Sequence, residues 1–267
     1  MPKTPSCDDR WLLHATAPLR LALEGRAGWE HGATLAAQPL LARAPRGDGH
    51  PVLTLPLMLG NDLPMQPLRV YLAGRGYAPY PWGLGINLGP RGDLLARCLA
   101  RLHDLHHRHG RRVSLIGWSL GGLYARELAK EAPEAVRLVI TLGTPFTGAP
   151  RPADLWRLYE RLTGEPMGLP EHHGPLDRPP PVPTTSIYSR SDGIVPWPCS
   201  REREGPQSEN IEVESSHLGL GAHPLAWYAI AERLAQPEGA WRPFERRGWR
   251  ALLYPDPRRA RTPAAPW

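Results

Sequence analysis

Val113–Lys130 reads VSLIGWSLGGLYARELAK. Val113, Leu115 and Ile116 have the composition of a buried strand, and Leu123–Lys130 has helical spacing. Between them lies Gly117-Trp118-Ser119-Leu120-Gly121, a Gly-x-Ser-x-Gly turn. The pentapeptide alone is weak, since both residue types are common. The strand before it and the helix after it make it specific. A serine on so sharp a turn needs neighbours without side chains. The turn lifts its hydroxyl above the sheet edge and leaves backbone N–H groups and a helix N-terminus facing a developing oxyanion. The stretch therefore predicts a nucleophile at Ser119 rather than a plain tight turn.

Outward from it, the chain alternates strands and helices. Pro51–Leu55 and Val136–Leu142 are continuous apolar strands; Tyr77–Pro81, Thr185–Tyr188 and Asn210–Val213 are further candidates. Helices are expected over Gln66–Leu72, Asp93–His109 with Gly110 as its cap, and Pro224–Leu234. Strands without polar alternation, separated by helices, indicate a mostly parallel sheet covered on both faces. Residues 1–50 read as one or two helices leading into the core, and 51–240 as the α/β core. Residues 147–182 break the rhythm and read as a short lid insertion, with an amphipathic helix at Asp154–Leu162 and two solvated histidines, His172 and His173.

Composition narrows the function classes. The 267 residues suit one large α/β domain, and no apolar run is long enough for a bilayer-spanning helix. The start of the chain does not read as a signal peptide, so a cytoplasmic address is expected. Three cysteines, Cys7, Cys98 and Cys199, predict reduced thiols and no structural disulfide. Of the net charge of +6, +5 comes from residues 241–267, where seven arginines face only Glu245 and Asp256. No nucleic-acid motif accompanies that charge, so an Arg/Pro-rich tail packed partly through Trp241, Phe244, Trp249 and Tyr254 is expected. Stable membrane insertion is not expected; surface contact by the tail stays open. The glycine-rich loop Trp82–Pro90 lacks a dinucleotide fingerprint. His103, His106, His107 and His109 complement a helix C-terminus rather than hold a metal. No cofactor and no metal are expected.

A serine at such a turn needs a base, and the base needs a carboxylate to fix its tautomer. The chain supplies one of each after predicted strands, in the order Ser119, Asp192, His217. Asp154, Asp177 and Glu214 are poorer acids, and His223 is the alternative base. Together the elbow, the turn SRSDGIVPW and the loop SSHLGLGAHP resemble an esterase/lipase-type α/β hydrolase. More narrowly, the chain resembles bacterial members sharing a W-G-L-G-x-N-x-G loop, here Trp82–Gly89. The resemblance runs from about Pro51 to Phe244.

The resemblance implies an α/β-hydrolase fold with a sheet of about eight strands, and ester hydrolysis through an acyl-enzyme. It carries over Ser119 as nucleophile, His217 as base and Asp192 as acid. It also implies an oxyanion hole from the N–H groups of Leu120 and Met58, although Leu57 stands where such loops usually have glycine. Apolar side chains near the expected site, Leu57, Trp118, Trp197 and Leu218 among them, favour a small hydrophobic ester as substrate. Two alternatives stand beside this: a catalytically weak α/β-hydrolase-fold binding protein, and an acyltransferase using the same triad.

Overall fold

The structure is a computed structural model that describes residue 22, residues 24–147 and residues 175–259. The expected lid helix Asp154–Leu162, with His172 and His173, lies outside the described residues. In chain order the elements are α1 (Ala27–Ala36), α2 (Gln38–Leu41), β1 (Pro51–Leu55), α3 (Gln66–Gly74), β2 (Ala78–Pro81), α4 (Leu94–His109) and β3 (Val113–Trp118). They continue with α5 (Leu120–Glu131), β4 (Val136–Leu142), β5 (Thr184–Tyr188), β6 (Ser208–Glu212), α6 (Pro224–Leu234) and α7 (Trp249–Leu253).

The strands form one parallel sheet in the order β2-β1-β3-β4-β5-β6. Side-chain alternation splits its apolar residues between two faces. Val52, Ile116, Trp118, Ile140 and Leu142 belong to one core cluster with α3 and α6 residues such as Leu68, Leu72 and Ile230. Leu53, Leu55, Leu115 and Val139 belong to the other, with Cys98, Leu102 and Leu105 of α4 and Leu123 and Leu128 of α5. α4 stops at Gly110, which takes φ 58°, a left-handed cap that suits glycine. β2, which holds Pro79 and Pro81, sits at the sheet edge, where a missing N–H is tolerated.

Among the described residues the sheet has six strands, not the expected eight. The segment before β1 that is described forms α1 and α2 instead of additional strands. The order also has a switch point. From β1 the chain goes outward to β2, then returns to the other side of β1 for β3 and continues that way. In an open α/β sheet the strand C-termini where the direction reverses are the place where a site is expected. The loops after β1 and β3 flank it, and Ser119 stands in one of them.

Two other expectations are refined. Cys98 is free, but Cys199 is disulfide-bonded, against the prediction of reduced thiols. Spacing along the chain does not reveal which thiols the fold brings together. The described part of the basic tail, residues 241–259, is docked on the body. Phe244 and Tyr254 are buried, Arg246 donates to the Asn210 carbonyl of edge strand β6 at 2.9 Å, and Arg259 reaches Glu212 at 2.7 Å.

Candidate active site

Ser119 joins β3 directly to α5 with φ 52° and ψ −119°, a conformation rarely adopted by a residue with a side chain. Such a backbone costs about 1–3 kcal/mol and persists only when its surroundings enforce it. Here Ser119 N–H donates to the Leu142 carbonyl at 2.8 Å, and its own carbonyl accepts from Gly122 N–H at 3.0 Å. The flanking glycines are required by contact. A Cβ on Gly117 would strike the Gly121–Gly122 backbone, and one on Gly121 would strike the Leu55 and Pro56 carbonyls. The second contact puts the start of α5 against the loop leaving β1.

Asp192 lies in the turn after β5. Its Oδ1 accepts N–H bonds from Ile194 at 2.9 Å and Val195 at 2.7 Å, which fix the carboxyl plane. Its Oδ2 is 2.7 Å from Nδ1 of His217, in the loop after β6. Both side chains are buried. Bonding at Nδ1 leaves Nε2 as the ring nitrogen able to accept a proton. Burial of His217 disfavours its charged form, but the charge and hydrogen bond of Asp192 and the charge of Glu24 outweigh it and raise its pKa above the ordinary value. The indole N–H of Trp118 donates to the His217 carbonyl at 3.1 Å, tying the loop to β3.

The alternatives read from sequence do not join this pair. Glu214 is exposed and lies 3.9 Å from Arg26. Asp177 pairs with Arg203 at 3.3 Å. His223 occupies the N-cap position of α6 without a side-chain cap bond, and burial lowers its pKa. Asp154 is outside the described residues. Of the helix-end histidines, His109 bonds the Tyr80 hydroxyl and His106 the Arg111 carbonyl. No metal-binding group of His, Cys, Asp or Glu occurs among the described residues.

The loop after β1 is held by Asn87, a completely buried residue of the Trp82–Gly89 loop. Its side-chain N–H donates to the Pro56 carbonyl at 2.8 Å. Its side-chain oxygen accepts from the Tyr124 hydroxyl at 3.1 Å and from Gly89 N–H at 3.2 Å. Its backbone exchanges bonds with the same loop: Leu59 N–H to the Asn87 carbonyl at 2.7 Å, Asn87 N–H to the Gly60 carbonyl at 2.8 Å. The positive φ that glycine would usually supply falls on Leu59, at 61°. Leu57 therefore needs no special backbone angle. Among the described residues the N–H groups of Met58 and Leu120 have no hydrogen-bond partner.

Sequence reasoning missed the residues that brace the loops carrying Asp192 and His217. Glu24 and Glu30, both buried, come from the segment before β1. Glu24 accepts N–H bonds from Gly193, His217 and Leu218. Glu30 accepts from Ser216 N–H at 2.9 Å and from the hydroxyls of Ser215 and Ser216. Arg26 donates to the Ser191 carbonyl at 3.2 Å. Nothing in that segment's pattern marks these carboxylates off from surface ones.

The apolar candidates separate. Leu218 is 38% exposed beside His217, and Leu57 is half-buried against the core. Trp118 and Trp197 are buried rather than lining a surface. Trp118 packs within the core, and Trp197 stacks on Tyr188 with its centroid 6.0 Å away and carries the Arg190 guanidinium at 4.5 Å.

A second Asp-His-Ser arrangement was also not foreseen. His50 Nδ1 lies 2.5 Å from Asp48 Oδ1, and Nε2 lies 2.9 Å from Ser114 Oγ. It sits at the other end of β3, about 16 Å from Ser119 at the rise of a strand. His50 and Ser114 are fully buried, and burial, with Arg137 and Arg111 nearby, lowers the His50 pKa to about 4. An imidazole with so low a pKa is a poor base at neutral pH.

Residues 85–176 match the family described as "PGAP1-like alpha/beta domain". Among solved structures the chain is similar to a monoacylglycerol lipase from Paleococcus ferrophilus: 17% identity, 71% of this chain and 96% of that one, TM-score 0.51. It is similar to lipase B from Aspergillus fumigatus: 17% identity, 74% of this chain and 56% of that one, TM-score 0.54. It is also similar to TT1662 from Thermus thermophilus: 17% identity, 70% and 88% coverage, TM-score 0.51. At these identities the likeness concerns the fold. No curated protein is similar enough in sequence to count as a relative.

Proposed function

We propose that this chain, which has the α/β-hydrolase fold, is a serine carboxylic-ester hydrolase of the esterase/lipase type acting on a hydrophobic acyl ester. The observation that carries the proposal is the buried Asp192–His217 contact of 2.7 Å, together with Ser119 held at φ 52° between β3 and α5. Ser119 Oγ attacks the ester carbonyl while His217 Nε2 takes its proton. Asp192 holds the imidazole with Nδ1–H facing it and stabilises the imidazolium that forms. The tetrahedral oxyanion rests on the N–H groups of Leu120 and Met58, which have no hydrogen-bond partner among the described residues. Collapse of that intermediate sends the proton from His217 to the leaving alkoxide and leaves an acyl-Ser119 ester. Water, deprotonated by the same imidazole, releases the acid.

The exposed Leu218 and half-buried Leu57 support an apolar acyl group over a charged one. Among the described residues no helix is long and apolar enough to cross a membrane.

The test uses a fluorophosphonate probe and p-nitrophenyl esters of increasing chain length, with Ser119→Ala as control. Labelling and turnover by the wild type that vanish in Ser119→Ala are expected, with longer acyl chains preferred over acetate. A wild type that neither labels nor turns over would remove the hydrolase reading. Turnover surviving Ser119→Ala would remove the assignment of the nucleophile.

A further inference from the structure

We propose that Glu24 is a positioning residue of the active site: a buried carboxylate outside the triad that locks the acid loop to the base loop and lends its negative charge to the imidazolium. The proposal rests on the assignment of His217 as base. Glu24 lies three residues before α1, in a part of the chain far in sequence from both loops. Its Oε1 accepts N–H bonds from Gly193 and from His217, each at 2.9 Å. Its Oε2 accepts from Leu218 N–H at 2.8 Å. One side chain thus grips the residue after the acid, the base itself and the residue after the base.

A buried carboxylate is costly unless hydrogen-bonded, and here three backbone donors satisfy it. Backbone amides satisfy it without cancelling its charge. Among the described residues no cation forms an ion pair with Glu24. The other charged or titratable groups about the base loop have separate work. Asp192 faces Nδ1, and Glu30 is occupied by Ser215 and Ser216. Arg26 holds Ser191 and lies near exposed Glu214, while burial keeps His223 on the neutral side. Glu24 is the one besides Asp192 whose carboxylate bonds His217 directly, and its charge raises the His217 pKa. That favours proton uptake by the base as the nucleophile attacks.

Glu24→Gln separates charge from shape. Its amide oxygen can still accept from Gly193 and His217, but its NH2 then faces the Leu218 N–H. The full chain is assayed by the pH profile of kcat/KM with a p-nitrophenyl ester, and the His217 imidazole is titrated by NMR, a readout independent of turnover. Glu24→Gln is expected to move the His217 titration and the acidic limb down by about half a unit or more, with kcat falling about tenfold. Glu24→Asp keeps the charge but shortens the reach by one methylene. It is expected to leave the limb in place while kcat falls, and it carries the test if Glu24→Gln does not fold. A Glu24→Gln protein that melts lower but keeps the wild-type His217 titration would overturn the proposal and leave Glu24 a loop brace. So would a Glu24→Asp protein with wild-type kcat. Failure of the underlying assignment is seen separately, as a wild type whose Ser119 is not labelled by fluorophosphonate.

Discussion

Asn87→Ala should damage catalysis and stability together, in amounts that can be set apart. The substitution leaves the backbone bonds of residue 87 to Leu59 and Gly60 intact and removes only the amide. The Pro56 carbonyl and the Gly89 N–H lose their side-chain partner, and the Tyr124 hydroxyl loses this one bond. A buried polar group left unpaired costs about 1–3 kcal/mol, and water entering the vacated space offsets part of it, so a net loss of about 2–4 kcal/mol is expected. For a chain of this size that lowers Tm by roughly 4–16 °C. The catalytic effect has a ceiling. If the Pro56–Met58 loop drifts, the Met58 donor is lost and kcat falls by at most about 100- to 1,000-fold, or about 3–4 kcal/mol. KM should change by less than about threefold, since the bond serves the transition state more than the bound ester. Steady-state kinetics with one p-nitrophenyl ester and a thermal melt of the same sample decide the matter. A melt lowered as expected with kcat unchanged would refute the argument that Asn87 holds an oxyanion donor.

Three further outcomes follow from the site and the fold. Asp192→Asn keeps an oxygen for Ile194 and Val195 but turns an NH2 toward His217 Nδ1, selecting the wrong tautomer; kcat should fall about 10,000-fold with the fold intact by circular dichroism. Gly143→Ala places a Cβ 2.8 Å from Leu220 Cδ1 and 3.1 Å from both Asp192 Oδ2 and His217 Nδ1, at a φ of 54°. It should lower kcat at least about tenfold and stability by about 1–2 kcal/mol in a urea titration. His50 has a folded pKa of about 4, depressed from about 6.5, so its neutral form stabilises the fold fully above pH 6.5 and that contribution is lost as pH falls through 4. Denaturant titrations should show wild type losing about 2–3 kcal/mol more than His50→Gln between pH 7 and pH 4.5.

Much of this was legible in the sequence because its causes are local. The elbow needs glycine at 117 and 121 wherever the rest of the chain goes, and the pattern announces it. β1, β4 and α6 fall where their apolar runs place them. The proposed order Ser119, Asp192, His217 is compatible with the parallel sheet, which aligns the ends of β3, β5 and β6 on one side. What came only with the tertiary structure depends on segments distant in sequence. The switch point between β1 and β3 follows from strand order, which periodicity does not encode. Leu57 looked like a defect until Asn87 and Leu59 were found sharing the work of the missing glycine. Glu24 and Glu30 look like surface carboxylates until the fold buries them against loops more than 160 residues away. The same contrast separates the two Ser-His-Asp sets. Asp48, His50 and Ser114 have the right contacts, but His50 and Ser114 are fully buried at the other end of β3 while Asp48 stays exposed, whereas Ser119 stands at the C-terminal end of the sheet beside N–H groups that have no partner among the described residues. Local sterics are written residue by residue along the chain; desolvation and long-range hydrogen bonding exist only once the chain has closed on itself.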